Sequence, residues 1–167
     1  SEHAYYRFFK SLLEESEMLD AIFADLLERL AQLLPDLGTR LVTDGKAIPA
    51  AWKSDPDAAV GVKRQGHPDG DAMGEITCKW FGYKLHMLAD ATYELPVAFK
   101  VTNAAEHESP HLMDLIETAR EKSPEVLERA ETLAGDKGYD DGKDKAAIYN
   151  DYDIKPLIPA RDLNKGE

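Results

Sequence analysis

Two short apolar runs in this sequence each end in an aspartate that is followed by glycine and lysine. The first run, RLVTDGK, ends at Asp44, and the second, LAGDKGY, ends at Asp136. Aspartates in such positions are most often turn residues, because their side chains hydrogen-bond to nearby backbone amides. The alternative is a metal site, since Mg²⁺ is typically held by one or two carboxylates together with water and substrate phosphate. If the two runs are neighbouring strands, the pair predicts a site for divalent ions that catalyse phosphoryl transfer.

The predicted secondary structure places both aspartates at the ends of strands. Apolar residues at three- and four-residue steps predict helix over residues 4–34, with a break near Ser16. Residues 53–77 are interpreted as loop, because glycine and proline are frequent there. The predicted strands cover residues 40–44, 79–89, 95–102, 132–136 and 154–159, with helices from Ser109 to about 122 and over 141–150.

This order of elements predicts a mixed sheet in which Asp44 and Asp136 become neighbours. Residues 79–89 form a hairpin with the strand that follows them, and helical crossovers favour parallel pairing of the later strands with the first. The strand at residues 40–44 is therefore expected to be central, antiparallel to residues 79–89 and parallel to residues 132–136. Because parallel neighbours present their carboxyl ends at one edge of the sheet, both aspartates would emerge together.

The composition of the chain limits the classes of protein to which it can belong. With 167 residues and 43% hydrophobic content, the chain suits one globular domain. No apolar run approaches the ~20 residues that a membrane span needs, and no signal peptide is recognised. The single cysteine, Cys78, excludes an intrachain disulfide, which fits a reducing cytoplasm. The net charge of −12 argues against a free-standing nucleic-acid binder but not against a metal-dependent nuclease core built on carboxylates.

Four segments together resemble the catalytic core of a DDE transposase from a bacterial insertion sequence. They are LVTDGKAI, WFGYKLHMLADATYELPVAFKVTNAAEHESPHL, AGDKGYDD and PLIPARD, and they cover about residues 38–162. The resemblance implies an α/β, ribonuclease-H-like fold: a hairpin-first, five-stranded mixed sheet flanked by helices, with an N-terminal helical segment at residues 1–37. It also implies an enzyme that cuts and joins transposon-end DNA with two Mg²⁺ or Mn²⁺ ions. Asp44 and Asp136 match the first two catalytic, metal-binding carboxylates.

The third carboxylate of the family is a glutamate on a helix well past the last strand, and it is missing here. The last predicted strand closes near Pro159, and Glu167 follows it too closely to match. Residues 38–167 are therefore expected to be a core that lacks its C-terminal part and is inactive alone. Two alternatives stay open: a noncatalytic ribonuclease-H-like interaction module, and a self-contained metal-dependent nuclease. In the latter, the third ligand would come from Asp57, His86, Glu106 or Asp162.

Four further residues are candidates for contacts with DNA. Lys84 and His86 share one face of the strand predicted to pair with the first, and Lys137 and Arg161 are placed to meet a phosphate. Their ordinary roles would be surface solvation or, for His86, a hydrogen bond within the strand. The resemblance further implies a dimeric full-length synaptic complex, a fragment that is itself a monomer, no membrane contact, and a location in the bacterial cytoplasm.

Overall fold

The computed structural model describes residues 2–66 and 74–161, which form a mixed sheet flanked by helices. The helices are α1 (Glu2–Glu14), α2 (Ser16–Leu33), α3 (Pro110–Lys122), α4 (Pro124–Leu127) and α5 (Gly142–Tyr152). The strands are β1 (Arg40–Pro49), β2 (Ala59–Gly66), β3 (Glu75–Asp90), β4 (Pro96–Asn103), β5 (Thr132–Gly135) and β6 (Lys155–Leu157). A single 3₁₀ turn, Lys137–Tyr139, follows β5.

The sheet has the strand order of a ribonuclease-H-like core. Strands β3 and β4 form the predicted antiparallel hairpin, and β1 lies between β3 and β5. Leu41–Pro49 of β1 run antiparallel to Gly82–Asp90 of β3. On the other side, Arg40–Thr43 run parallel to Thr132–Gly135, and β6 adds a further parallel strand beyond β5. The central position predicted for the first strand is confirmed.

The described part of the sheet has six strands, whereas five were predicted, because β2 lies within the residues interpreted as loop. Strand β2 pairs antiparallel with Glu75–Gly82, so β3 is also longer than the predicted 79–89. We call β2 together with residues 75–82 the β2–β3 arm. The glycine at position 61 suggested a loop, but it is required by packing: a Cβ there would collide with the indole of Trp80.

The core lies between one face of the sheet and the helices. Leu41, Leu88 and Leu133 of the three central strands are fully or almost fully buried, against Leu112, Leu115, Ile116 and Ala119 of α3. The predicted break near Ser16 is confirmed, and only the second helix reaches the core, through Leu27 and Ala31. No helix in the described ranges is long and apolar enough to cross a bilayer.

A buried aspartate fixes the start of the central strand. The side chain of Asp90 is 1% exposed, and its Oδ2 accepts a hydrogen bond of 2.8 Å from the Gly38 amide. Its Oδ1 accepts from the amides of Thr92 and Tyr93, in the turn between β3 and β4. Because a buried carboxylate needs such donors, the entry to β1 and the β3–β4 turn are held to one another.

The buried face of β3 also carries His86, which is 0% exposed. Its Nε2 lies 3.0 Å from Thr102 Oγ1, and its ring centroid lies 4.5 Å from that of His111. His86 shares the helix-facing side of β3 with Lys84, as strand alternation predicts, and His111 approaches it from α3. His86 is therefore not placed to contact DNA, contrary to the prediction, because its strand faces α3 rather than solvent at this position.

The burial of His86 makes stability depend on pH. Burial, helped by His111, Lys84 and Lys100, lowers the pKa of His86 from 6.5 to about 4, while Glu106 acts in the opposite direction. Unfolding therefore favours proton uptake, so the stability contributed by neutral His86 is present above about pH 6.5 and is lost as the pH falls towards 4. Between pH 7 and pH 5, we expect the free energy of unfolding of wild type to fall by about 2 kcal/mol more than that of the His86→Gln variant.

Urea denaturation at the two pH values measures this difference. His107→Gln is the matched control, because His107 is exposed and should leave the wild-type pH dependence unchanged. An equal loss of stability in wild type and His86→Gln would show that His86 is not the group responsible.

Candidate active site

Asp44 and Asp136 follow paired residues of two neighbouring parallel strands. The register pairs Thr43 of β1 with Gly135 of β5. The residue that follows each of them in the sequence is the aspartate, Asp44 or Asp136. Both side chains are exposed at the edge where β5 ends. The predicted parallel pairing of the two strands is confirmed, and it brings together residues that are 92 positions apart in the sequence. The predicted end of the first strand at Asp44 is wrong, because β1 continues to Pro49 through its pairing with β3, so only Asp136 follows a strand end.

Each aspartate also accepts a local hydrogen bond from the backbone, although only Asp136 lies at a turn, since Asp44 is within β1. Asp44 Oδ1 accepts from the Gly45 amide at 2.8 Å, and Asp136 Oδ1 accepts from the Gly138 amide at 2.7 Å. Within the described ranges, the Oδ2 atoms of both residues have no hydrogen-bond partner. These local hydrogen bonds are compatible with a ligand role, because they occupy only one oxygen of each carboxylate.

Glu108, two residues before α3, is a further carboxylate close to the two aspartates. A Cβ on Gly45 would lie 2.9 Å from Glu108 Oε1, and a Cβ on Gly138 would collide with Glu108 Oε2. The carboxylate thus enters the space that two glycines leave open, each within two residues of an aspartate. Lys84 Nζ lies 3.5 Å from Glu108 Oε1 and donates to the Glu106 carbonyl at 2.8 Å.

Glu108 was not predicted to belong to the site, because an acidic residue just before a helix is explained by favourable charge at the helix N-terminus. The signal available was the pair of glycines at 45 and 138, which follow both aspartates. Glycine is common where another group must approach the backbone closely. The identity of the approaching group could not be read from the sequence.

Tyr139 forms the buried floor beside the carboxylates. It is 0% exposed, and neither its hydroxyl nor that of Thr43 has a hydrogen-bond partner in the part of the chain that the structure describes. Burial raises the pKa of Tyr139, the Thr43 side chain acts in the opposite direction, and the charges of Glu108, Asp44 and Asp136 raise it further. The phenol therefore stays protonated and responds to all three carboxylates.

The donor set suits a hard divalent cation, because carboxylate oxygens are the ligands that Mg²⁺ prefers. It is not a closed cage: among residues 2–66 and 74–161, no three carboxylate, imidazole or thiol side chains lie close enough together to hold a metal ion. Asp57, His86 and Glu106 thus do not complete the pair. The remaining candidate for the third ligand, Asp162, lies outside the described residues.

An open groove of roughly 690 Å³ lies beside Asp136 and has a cationic lining. Five of its lining residues are lysine or arginine and only two are acidic, in a chain whose net charge is −12. The predicted Lys84, Lys137 and Arg161 all line it, but His86 does not. The lining residues are Val62, Lys63, Arg64, Trp80, Lys84, His107, Glu108, Asp136, Lys137, Gly138 and Arg161.

The three basic residues predicted to contact DNA differ in the contacts that their side chains make. Arg161 donates from Nε to the Lys137 carbonyl at 2.8 Å and from its terminal nitrogen to the Gly138 carbonyl at 2.5 Å, so it braces the turn after Asp136. Lys84 is 8% exposed and engaged with Glu108. Lys137, by contrast, is exposed, and its ammonium has no partner within the described ranges.

Comparison with known proteins identifies the family of the chain. The family model for the transposase DDE domain matches residues 23–166. No curated protein matches the chain significantly. Similar solved structures are a pre-cleavage Mos1 transpososome, a Mos1 transposase paired-end complex with the left transposon end, and a Mos1 mariner paired-end complex with Mn. Each is 14% identical, with a TM-score of 0.41 over 84% of this chain.

The Mos1 chains are much longer than this one, which spans 41–42% of their length. At that identity and TM-score, the likeness adds no independent support for fold or function. The family assignment depends instead on the family match, which includes both aspartates, and on the strand order that brings them together. The chain belongs to the transposase DDE domain family.

Proposed function

We propose that this chain supplies the catalytic core of a DNA transposase, which cuts and joins DNA at insertion-sequence ends by metal-dependent phosphoryl transfer. The observation that carries the proposal is the position of Asp44 and Asp136 after paired residues of adjacent parallel strands, beside a cationic groove. The family match supports transposition as the process. No observation favours the noncatalytic module or the self-contained nuclease.

In this proposal Asp44 and Asp136 hold Mg²⁺ or Mn²⁺. Such ions, when bound, activate the attacking water or 3′-hydroxyl and stabilise the leaving oxygen. The chain's own contribution is orientation: the amides of Gly45 and Gly138 tie one oxygen of each carboxylate, so the other is presented in a fixed direction. Lys137 is proposed to hold a substrate phosphate, because it follows Asp136 directly and lines the groove.

Arg161 and Lys84 are proposed to act mainly on the protein. Arg161 braces the turn that carries Asp136 and Lys137, through two backbone carbonyls. Lys84 offsets the charge of Glu108 next to the two aspartates, which limits repulsion among the three acids. Both side chains still line the groove, so each adds positive potential where a phosphate would enter.

The same proposal covers the organisation and setting of the protein. Residues 38–167 are proposed as the ribonuclease-H-like core and residues 1–37 as a helical segment beside it. The burial of Leu27 and Ala31 in the core indicates that the second half of α2 belongs with the core. Two ions at the complete site, transposon-end DNA as partner, a dimeric full-length complex and the bacterial cytoplasm remain expectations from the family.

Metal binding at the aspartate pair should stabilise the fold. A ligand that binds only the folded state at ten times its dissociation constant adds about 1.4 kcal/mol, or roughly 3–5 °C in melting temperature. We expect Mn²⁺ to produce such a shift in wild type and no shift in Asp44→Asn or Asp136→Asn. Thermal melts in millimolar Mn²⁺ measure it, with Asp57→Asn as the exposed-aspartate control that keeps the shift. A wild-type shift in Asp44→Asn would contradict the assignment.

Catalysis by the isolated chain should be weak. Two carboxylates retain an ion poorly, whereas phosphoryl transfer needs attacking and leaving oxygens fixed in line, and the described residues provide no third ligand in place. We expect little nicking of supercoiled plasmid in Mn²⁺, with any residual activity absent from Asp136→Asn. Strong nicking by wild type that Asp136→Asn abolishes would show that a complete ligand set lies within these residues.

A further inference from the structure

We propose that the β2–β3 arm is a DNA-binding element, in which Lys63 and Arg64 bind the phosphate backbone of a strand lying in the groove. The inference rests on the proposed function, and it assigns a role to a segment that the sequence reasoning took for a loop. Four residues of the arm line the groove: Val62, Lys63, Arg64 and Trp80.

The arm belongs to the same sheet as the aspartate strands. Its two strands pair over Ala59–Gly66 and Glu75–Gly82, and β3 continues without interruption to pair with β1. The groove is therefore lined by two parts of one sheet. The arm supplies one set of lining residues, and the turn after β5 supplies the other, with Asp136, Lys137 and Gly138. A backbone held by the arm would lie along the groove that contains Asp136.

Packing at the base of the arm fixes its position. The indole of Trp80 covers Gly61 and leaves no room for a Cβ there, and its Nε1 donates to the Tyr83 carbonyl at 3.0 Å. The Tyr83 hydroxyl in turn donates to Asp55 Oδ2 at 2.8 Å. At the level of Gly82, the Ala104 amide donates to the Gly82 carbonyl at 3.0 Å. A fixed arm loses little conformational freedom when a ligand binds, which favours affinity.

The charges of the arm suit a phosphate backbone. Lys63 and Arg64 are both exposed, and both line the groove. Arginine binds phosphate through two parallel N–H donors, and lysine binds it as a point charge. Together with Lys137, they give the groove exposed cations from both the arm and the turn after Asp136.

A simpler role for these residues is protection of a sheet edge. Strand β2 is the edge strand, and charged side chains on such strands hinder pairing with other chains. That role does not require the charges to line a groove. Lys79 on the same arm and Lys53 before it are also exposed, yet they do not line it. These two lysines provide a control with the same change in net charge.

The test is DNA binding as a function of salt, measured by fluorescence anisotropy of a short labelled duplex. Each lost phosphate contact reduces the slope of log K against log salt by about 0.9. We therefore expect the Lys63→Gln, Arg64→Gln double variant to bind more weakly, with a slope reduced by about 1.8. The Lys53→Gln, Lys79→Gln double variant should keep the wild-type slope.

The outcomes separate this inference from the proposed function. A wild-type slope in the Lys63→Gln, Arg64→Gln variant would overturn the inference alone, as would an equal loss in the control, since net charge would then explain both. If the double variant fails to fold, each single substitution is expected to lower the slope by about 0.9. Absence of binding by wild type even at low salt would overturn the DNA partner itself, whereas the Mn²⁺ melts test the aspartate pair independently.

Discussion

The parallel pairing of β1 with β5 is the interaction on which the candidate site depends. It covers four residue pairs, from Arg40 beside Thr132 to Thr43 beside Gly135, and it is the only contact that makes Asp44 and Asp136 neighbours among the described strands. Parallel pairing requires a long crossover connection, here through β3, β4 and α3. The elements between the two aspartates therefore serve both as the core and as the means of setting the register of the site.

The same crossover also positions Glu108 beside the two aspartates. Helix α3 packs on the sheet through four fully buried residues, which sets the height of its N-terminal end relative to the strands. Glu108 precedes that end and reaches the backbone at Gly45 and Gly138. A side chain at Gly45 or Gly138 would displace the Glu108 carboxylate. The short distance between the start of α3 and the strands therefore requires glycine at these two positions. Lys84 then balances a local excess of negative charge that water alone would otherwise have to stabilise.

The central sheet could be predicted because its signals are local and mutually consistent. Residues 79–89 and 95–102 alternate in the strand pattern, and turn residues separate them, so the hairpin follows from the chain alone. Strand β2 could not be predicted, because Gly61 indicates a loop unless the partner indole of Trp80 is known. The position of Asp136 depends on a strand end and was predictable, whereas the burial of His86 and the reach of Glu108 depend on how α3 packs, which no local pattern contains.

The separation of charge in the molecule has a consequence for how it meets a polyanion. A chain of net charge −12 carries its groove cations on one side, so the acidic residues dominate elsewhere and the protein has a permanent electric dipole. If DNA is the partner, as proposed, the net charge opposes its approach while the groove cations attract it. The potential then favours the orientation in which the groove faces the duplex. Because the potential acts over about one Debye length, the protein selects orientation most strongly in dilute salt.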